Sequence, residues 1–215
     1  MGIIIAGFPC IGKTTLGKVN NLNIIDLEST RYKYLLEPEI ENLESIKLNV
    51  DYPRNPDWPE NYIKAIEEAR QKFDIVFVLG RYDFNLQMLE RGIEFWVAYP
   101  DPTVQQKEEY LARARQRNNP KEFIKIFSDN YEKWQNRMDL LPVPKIKLQK
   151  GEYIGDAIER LGIYKFKENE YEERWKLALV LITSASLFKR LIKWIASLNL
   201  FLYHQQKFDQ YCRTY

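Results

Sequence analysis

Apolar residues along this chain come in two rhythms. Short uninterrupted blocks alternate with longer stretches in which apolar positions recur every three or four residues. Ile3-Ile4-Ile5-Ala6 opens the series, β-branched and without a polar interruption, as a buried parallel strand is. Asn23-Ile24-Ile25-Asp26-Leu27-Glu28 reads as a second strand that ends in carboxylates. Asp74-Ile75-Val76-Phe77-Val78-Leu79-Gly80 is the clearest third, and Ile93 to Tyr99 the fourth, closed by Pro100-Asp101-Pro102. Lys145-Ile146-Lys147-Leu148, led in by Pro142 and Pro144, is the fifth. Helical spacing fills the intervals. Arg31 to Leu36 predicts a single turn, and Pro53, Pro56 and Pro59 break any regular structure after it. Pro59 to Lys72 predicts a helix, with Tyr62, Ile63, Ile66 and Ala69 on one face. Asp83 to Glu90 predicts another, capped at Arg91-Gly92. Thr103 is placed to N-cap a helix to about Arg117, Asn118-Asn119-Pro120 breaks it, and Glu122 to Met138 resumes. Gly151 marks a turn before a last helix, Tyr153 to Leu161. This alternation predicts a three-layer α/β domain over residues 1–164 with a mainly parallel five-stranded sheet.

The rhythm changes near Lys165. Residues 165–215 hold nine Lys and Arg against five Asp and Glu, so the tail is basic while the whole chain carries only +2. Leu177 to Phe188 is apolar apart from Thr183, Ser184 and Ser186, and Lys189, Arg190 and Lys193 then enter among Leu191, Ile192, Trp194, Ile195 and Leu198. A membrane-spanning helix needs about 20 apolar residues, and the charges arrive first. The tail therefore reads as a helical C-terminal extension, whose apolar residues 177–203 must meet the α/β domain, a second copy or a membrane surface. The contact expected is with protein.

Composition narrows the chemistry. A chain of 215 residues holds one α/β domain with a full core and a modest appendage. The near-neutral balance carries no electrostatic signal for nucleic acid. Cys10 and Cys212 are the two cysteines and His204 the single histidine. A disulfide framework, a cysteine-built zinc site and histidine-based catalysis are therefore not expected. The first apolar block is only a strand long and no basic region precedes it, so it does not read as a signal peptide, and the expected compartment is a reducing cytoplasm.

One stretch carries a specific signal. Gly7-Phe8-Pro9-Cys10-Ile11-Gly12-Lys13-Thr14 fits G-x-x-x-x-G-K-[ST] at every fixed position, with a strand before it and a helix starting near Thr14-Thr15 after it. Gly7 and Gly12 are expected to take φ > 0 and let the backbone approach phosphate oxygens. The N–H groups of residues 8–14 then form an anion-binding nest at a helix N-terminus. Lys13 would reach the β- and γ-phosphates of ATP, and the Thr14 hydroxyl would hold Mg²⁺. Pro9 stiffens the loop. A helix N-terminus would lower the pKa of Cys10, although burial would leave it inert.

With these residues in place, the chain resembles small P-loop kinases of the nucleoside monophosphate kinase type, including short phage and low-GC bacterial nucleotide kinases. The resemblance covers residues 1–164, closely at Gly7 to Thr15 and loosely elsewhere. It implies a P-loop NTPase fold and Mg-ATP-dependent phosphoryl transfer to a small acceptor, a nucleotide or a similar molecule. Asp26 and Glu28 resemble the Asp-x-Asp/Glu pair after the second strand. One carboxylate would hold Mg²⁺ with Thr14, and the other would orient or deprotonate an acceptor hydroxyl. Strand alternation puts both on one face. Arg31 and Arg81 resemble acceptor-phosphate arginines. Arg113 and Arg117, at i and i+4 in Leu111-Ala112-Arg113-Ala114-Arg115-Gln116-Arg117, resemble the catalytic arginines of a lid, with Asn118 to Pro120 as its hinge. The pattern is broken at Leu79-Gly80-Arg81, where no acidic residue ends the third strand, and Asp83 comes late for that role. Two other readings stay open. A polynucleotide 5′-hydroxyl or small-metabolite kinase would need Glu28 or Asp26 as a base, and a nucleotide-binding regulatory or phage-defence protein would use its tail as a switch.

Overall fold

The computed structural model describes residues 1–19, 22–36 and 52–166. The expectations for the extension beyond Phe166, including residues 177–203, lie outside them. Five strands form: β1 (Ile3–Gly7), β2 (Ile24–Asp26), β3 (Ile75–Leu79), β4 (Trp96–Pro100) and β5 (Lys145–Leu148). They make one sheet in the order β2-β3-β1-β4-β5, with every pairing parallel. Parallel neighbours need crossovers, and helices supply them. These are α1 (Lys13–Leu16), α2 (Thr30–Lys33), α3 (Glu60–Ala69), α4 (Tyr82–Glu90), α5 (Lys107–Gln116), α6 (Lys121–Leu140) and α7 (Ile154–Arg160).

Burial follows the apolar blocks. Ile4, Ile5, Val76, Phe77, Val97 and Ala98 are fully enclosed in the central strands, as strands covered on both faces must be. Helix α3 turns Tyr62, Ile63, Ile66 and Ala69 inward, the spacing its sequence shows. Gly92, at φ 68°, follows the C-cap of α4 as expected.

The structure shifts several boundaries. β4 begins at Trp96, not Ile93, although Ile93 and Phe95 are buried. Thr103 does not cap α5. Its N–H and hydroxyl both donate to the Asp101 carboxylate, an Asx-type turn, and the helix starts four residues later. Helix α5 ends with Asn118 in the left-handed region, φ 55°, and Pro120 then caps α6.

The topology selects one end of the sheet. The connection leaving β1 runs to one edge, to β2, and the connection leaving β4 runs to the other, to β5. A crevice opens outside the carboxyl ends where neighbouring strands part company in this way, here at β1 and β4. Above β4, an aromatic cluster of Phe8, Tyr110, Phe127 and Tyr131 packs with centroids 5.5–6.1 Å apart and joins α5 and α6 to the residue that follows β1. Phe127 is fully buried in it. Phe127→Ala should cost about 3–5 kcal/mol, the usual loss for an enclosed ring, measured by urea unfolding.

Candidate phosphate-binding site

Gly7 to Thr14 carry the chain from β1 into α1. Phe8 still belongs to the sheet, because its N–H donates to the Ala98 carbonyl at 2.8 Å. Its enclosed ring anchors the loop in the aromatic cluster. Beyond Pro9 the backbone turns left-handed twice, at Cys10 (φ 61°) and Gly12 (φ 97°). Gly7 does not take the positive φ expected of it. Its lack of a side chain serves space instead: a Cβ there would stand 2.5 Å from Lys13 Cδ. Lys13 lies back across the loop and donates from Nζ to the carbonyls of Gly7 at 2.9 Å and Phe8 at 3.0 Å.

Among the described residues, no hydrogen bond uses the N–H groups of Ile11, Gly12, Thr14 or Thr15. Four donors are therefore unused beside a lysine ammonium, which is the composition of an anion nest. The helix contributes less than expected. α1 is a single turn, Lys13–Leu16, too short to align many peptide dipoles, so an attraction for an anion would have to come from the loop itself.

Thr14 donates from Oγ1 to Asp26 Oδ2 at 2.7 Å. The two residues predicted to hold a metal ion are thus in contact, although β3 lies between the strands that carry them. Two glycines let the backbones around it pack closely. A Cβ on Gly17 would meet the Asp26 nitrogen at 2.9 Å, and one on Gly80 would meet the Gly7 carbonyl oxygen at 2.4 Å. The second contact also explains why no carboxylate follows β3, since a side chain at position 80 has no room.

β2 ends at Asp26, so Glu28 lies two residues beyond the strand. Glu28 Oε1 accepts from the Thr30 hydroxyl at 2.9 Å and from its N–H at 3.3 Å, at the start of α2. Arg31 stands exposed on α2. Arg81 stands exposed after β3 and pairs at 3.4 Å with Asp83, which lies in the first turn of α4.

The two arginines of α5 separate. Arg117 is exposed at the helix end, whereas Arg113 is 7% exposed. The Arg113 guanidinium pairs with Glu109, donates to the carbonyls of Glu152 at 2.9 Å and Cys10 at 3.5 Å, and lies over the rings of Tyr110 and Tyr153. It is a fixed wall of the loop, not an exposed arm of a lid. Glu109 also accepts from Gly151 N–H at 3.2 Å. Ile154 N–H donates to the Ile11 carbonyl at 2.8 Å, and the Tyr153 ring packs on Gly12. The turn between β5 and α7 is thereby tied to the loop.

Sequence reasoning missed Gly17, Tyr153 and the anchoring role of Phe8. A glycine four positions after Lys13, inside a helical stretch, was the signal that could have found the first. Cys10 is 4% exposed, which fits an inert thiol. Among the described residues no three His, Cys, Asp or Glu side chains cluster as a metal site, and no helix is long and apolar enough to cross a membrane. Two open grooves, of about 590 and 470 Å³, lie at the other end of the sheet around Met1, Gly2 and Arg70. Neither gathers the groups that a reaction needs, so the loop remains the candidate site. No protein-family model, no curated protein and no solved structure matches the chain.

Gly17→Ala and Gly80→Ala should each destabilise by about 1–3 kcal/mol, the usual cost of overpacking. Gly80→Ala should cost the more, because the backbone atom that blocks it stands closer, at 2.4 Å against 2.9 Å. Urea midpoints compared at constant m-value check both.

Proposed function

We propose that the protein is an ATP-dependent phosphotransferase acting on a nucleotide or a similar small phosphate acceptor, with a three-layer P-loop NTPase fold over residues 1–164. The observation that carries this reading is the Thr14–Asp26 contact at 2.7 Å beside the loop's unused N–H groups and Lys13. It brings a carboxylate from β2 to the hydroxyl, the ammonium and the four amide donors carried by residues 11–15.

Thr14 and Asp26 fit Mg²⁺ by donor type, since hard oxygen ligands suit it and one or two carboxylates suffice when phosphates complete the shell. When bound there, Mg²⁺ would neutralise charge on the β- and γ-phosphate oxygens. The N–H groups of Ile11, Gly12, Thr14 and Thr15 would hold the phosphates. Lys13 would exchange its two carbonyl partners for phosphate oxygens, so its ammonium is already stored at the place of use. Exposed Arg31 and Arg81 would bind the acceptor's anionic group by bidentate pairing. Arg117, exposed at the end of α5, would cover the transferring group, while Arg113 would hold the loop in shape.

Glu28 favours an acceptor that is already a phosphate. Its Oε1 is engaged by Thr30, and an anionic acceptor oxygen needs no strong base. A hydroxyl acceptor would require that base.

Full-length protein with Mg-ATP and a panel of nucleotides, nucleosides and 5′-hydroxyl oligonucleotides, read as ADP formed, should identify an acceptor among the monophosphates. Lys13→Ala should lower the rate about 10²–10³-fold or more, the loss typical of one transition-state donor, with the fold intact by circular dichroism. Normal turnover in that variant would contradict the reading.

Asp26→Asn should be severe with any acceptor. Glu28→Gln should be mild with a monophosphate and should cost about 10²–10⁴-fold only if a hydroxyl is the acceptor, where a general base is lost. Rates of both variants, measured with the same acceptor, separate the two classes.

A further inference from the structure

The Tyr62 hydroxyl occupies a place in the sheet where a backbone hydrogen bond belongs. β2 and β3 run in register from Ile24↔Ile75 to Asp26↔Phe77, and Leu27 N–H then donates to the Phe77 carbonyl at 3.0 Å. The next rung of a parallel ladder would join Leu79 N–H to the Leu27 carbonyl. Here Leu79 N–H donates to the Tyr62 hydroxyl at 3.0 Å, and that hydroxyl donates to the Leu27 carbonyl at 2.7 Å. One oxygen atom stands between the strands.

The other side of β3 is closed. Leu79 stays in register with Gly7, and Gly80 presses on the Gly7 carbonyl. β3 therefore keeps to β1, and it is β2 that parts from β3. The residues beyond the parted ends are Glu28 on one chain and Arg81 on the other, with Asp26 at the last regular pair.

The wedge is rigidly held. Tyr62 is 0% exposed, and its ring lies against Tyr32 at 5.1 Å, Phe84 at 5.2 Å and Trp58 at 5.5 Å. These come from α2, α4 and the segment before α3. Burial pushes the phenol well above its ordinary pKa; the Leu79 N–H opposes this, and the Asp26 and Glu28 charges add to it. The phenol keeps its proton, so both hydrogen bonds keep their direction.

We infer that Tyr62 is a positioning residue for the transfer reaction proposed above, on which this inference rests. Its hydroxyl, set into the β2–β3 ladder, holds the carboxyl ends of the two strands one atom apart and fixes the gap between the Asp26–Glu28 side and Arg81 that receives the acceptor. The loop hangs from β1 and Asp26 lies below the wedge, so the donor half of the site does not depend on it.

The test compares full-length wild type with Tyr62→Phe and with p-aminophenylalanine in place of Tyr62. The aniline retains the ring, a donor and an acceptor, so it also serves if Tyr62→Phe does not fold. Mg-ATP affinity is read by isothermal titration calorimetry, and kcat and KM are read with the monophosphate acceptor varied. Tyr62→Phe should lower kcat/KM for the acceptor about 10–100-fold, the range that a displacement of about 1 Å produces, while ATP affinity stays within about twofold. The aniline should restore most of the loss. An active wild type whose Tyr62→Phe form keeps its acceptor kcat/KM overturns the inference alone. So does a parallel loss of ATP affinity and acceptor turnover, which marks general loosening, or an aniline variant as impaired as Tyr62→Phe. A wild type that transfers no phosphoryl group refutes the functional reading and this inference with it.

Discussion

The hydrogen bond from Thr14 to Asp26 joins two strands' ends across a third. β1 delivers the loop, β2 delivers the carboxylate, and β3 runs between them. Gly80 lets the end of β3 lie against the Gly7 carbonyl, and Gly17 lets the turn of helix settle against Asp26. Space at Gly80 is filled by backbone, and the acid is supplied from β2.

Around this contact the loop beyond Phe8 is held from several sides without engaging the N–H groups of Ile11, Gly12, Thr14 or Thr15. The Phe8 ring anchors it in the α5–α6 cluster, the Arg113 guanidinium takes the Cys10 carbonyl, and the first N–H of α7 takes the Ile11 carbonyl. All of these hold by a ring or a carbonyl. A backbone fixed through its acceptors keeps its donors pointing elsewhere, which is what preorganised anion binding requires. Burying Arg113 at 7% exposure would be costly for an isolated charge. Glu109, two carbonyls and two aromatic faces surround it, so the charge is met on every side that the protein presents.

The sheet and the loop were legible because both rest on local pattern. Short apolar segments, interleaved with lysine in the fifth, marked all five strands, and the loop's fixed residues are contiguous. Asp26 was legible too, as the polar end of a strand. What was not legible depends on contacts distant in sequence. Tyr62 showed only helical periodicity, yet its hydroxyl reaches a carbonyl 35 residues earlier. Arg113 and Arg117 share a spacing, but spacing does not tell which of two helix positions the core will cover. The Thr30 partner of Glu28 depends on a turn that begins past the end of β2. Thr103 met the rule for a cap and was claimed by Asp101 instead.

The central claim is that the loop and the Thr14–Asp26 pair form one site for a metal-bound triphosphate. Calorimetric titration of the full-length protein with ATP, in Mg²⁺ and again after chelation, tests it most directly. The account predicts one equivalent of ATP bound in Mg²⁺ and markedly weaker binding without it. An absence of ATP binding, or an affinity indifferent to Mg²⁺, would contradict it.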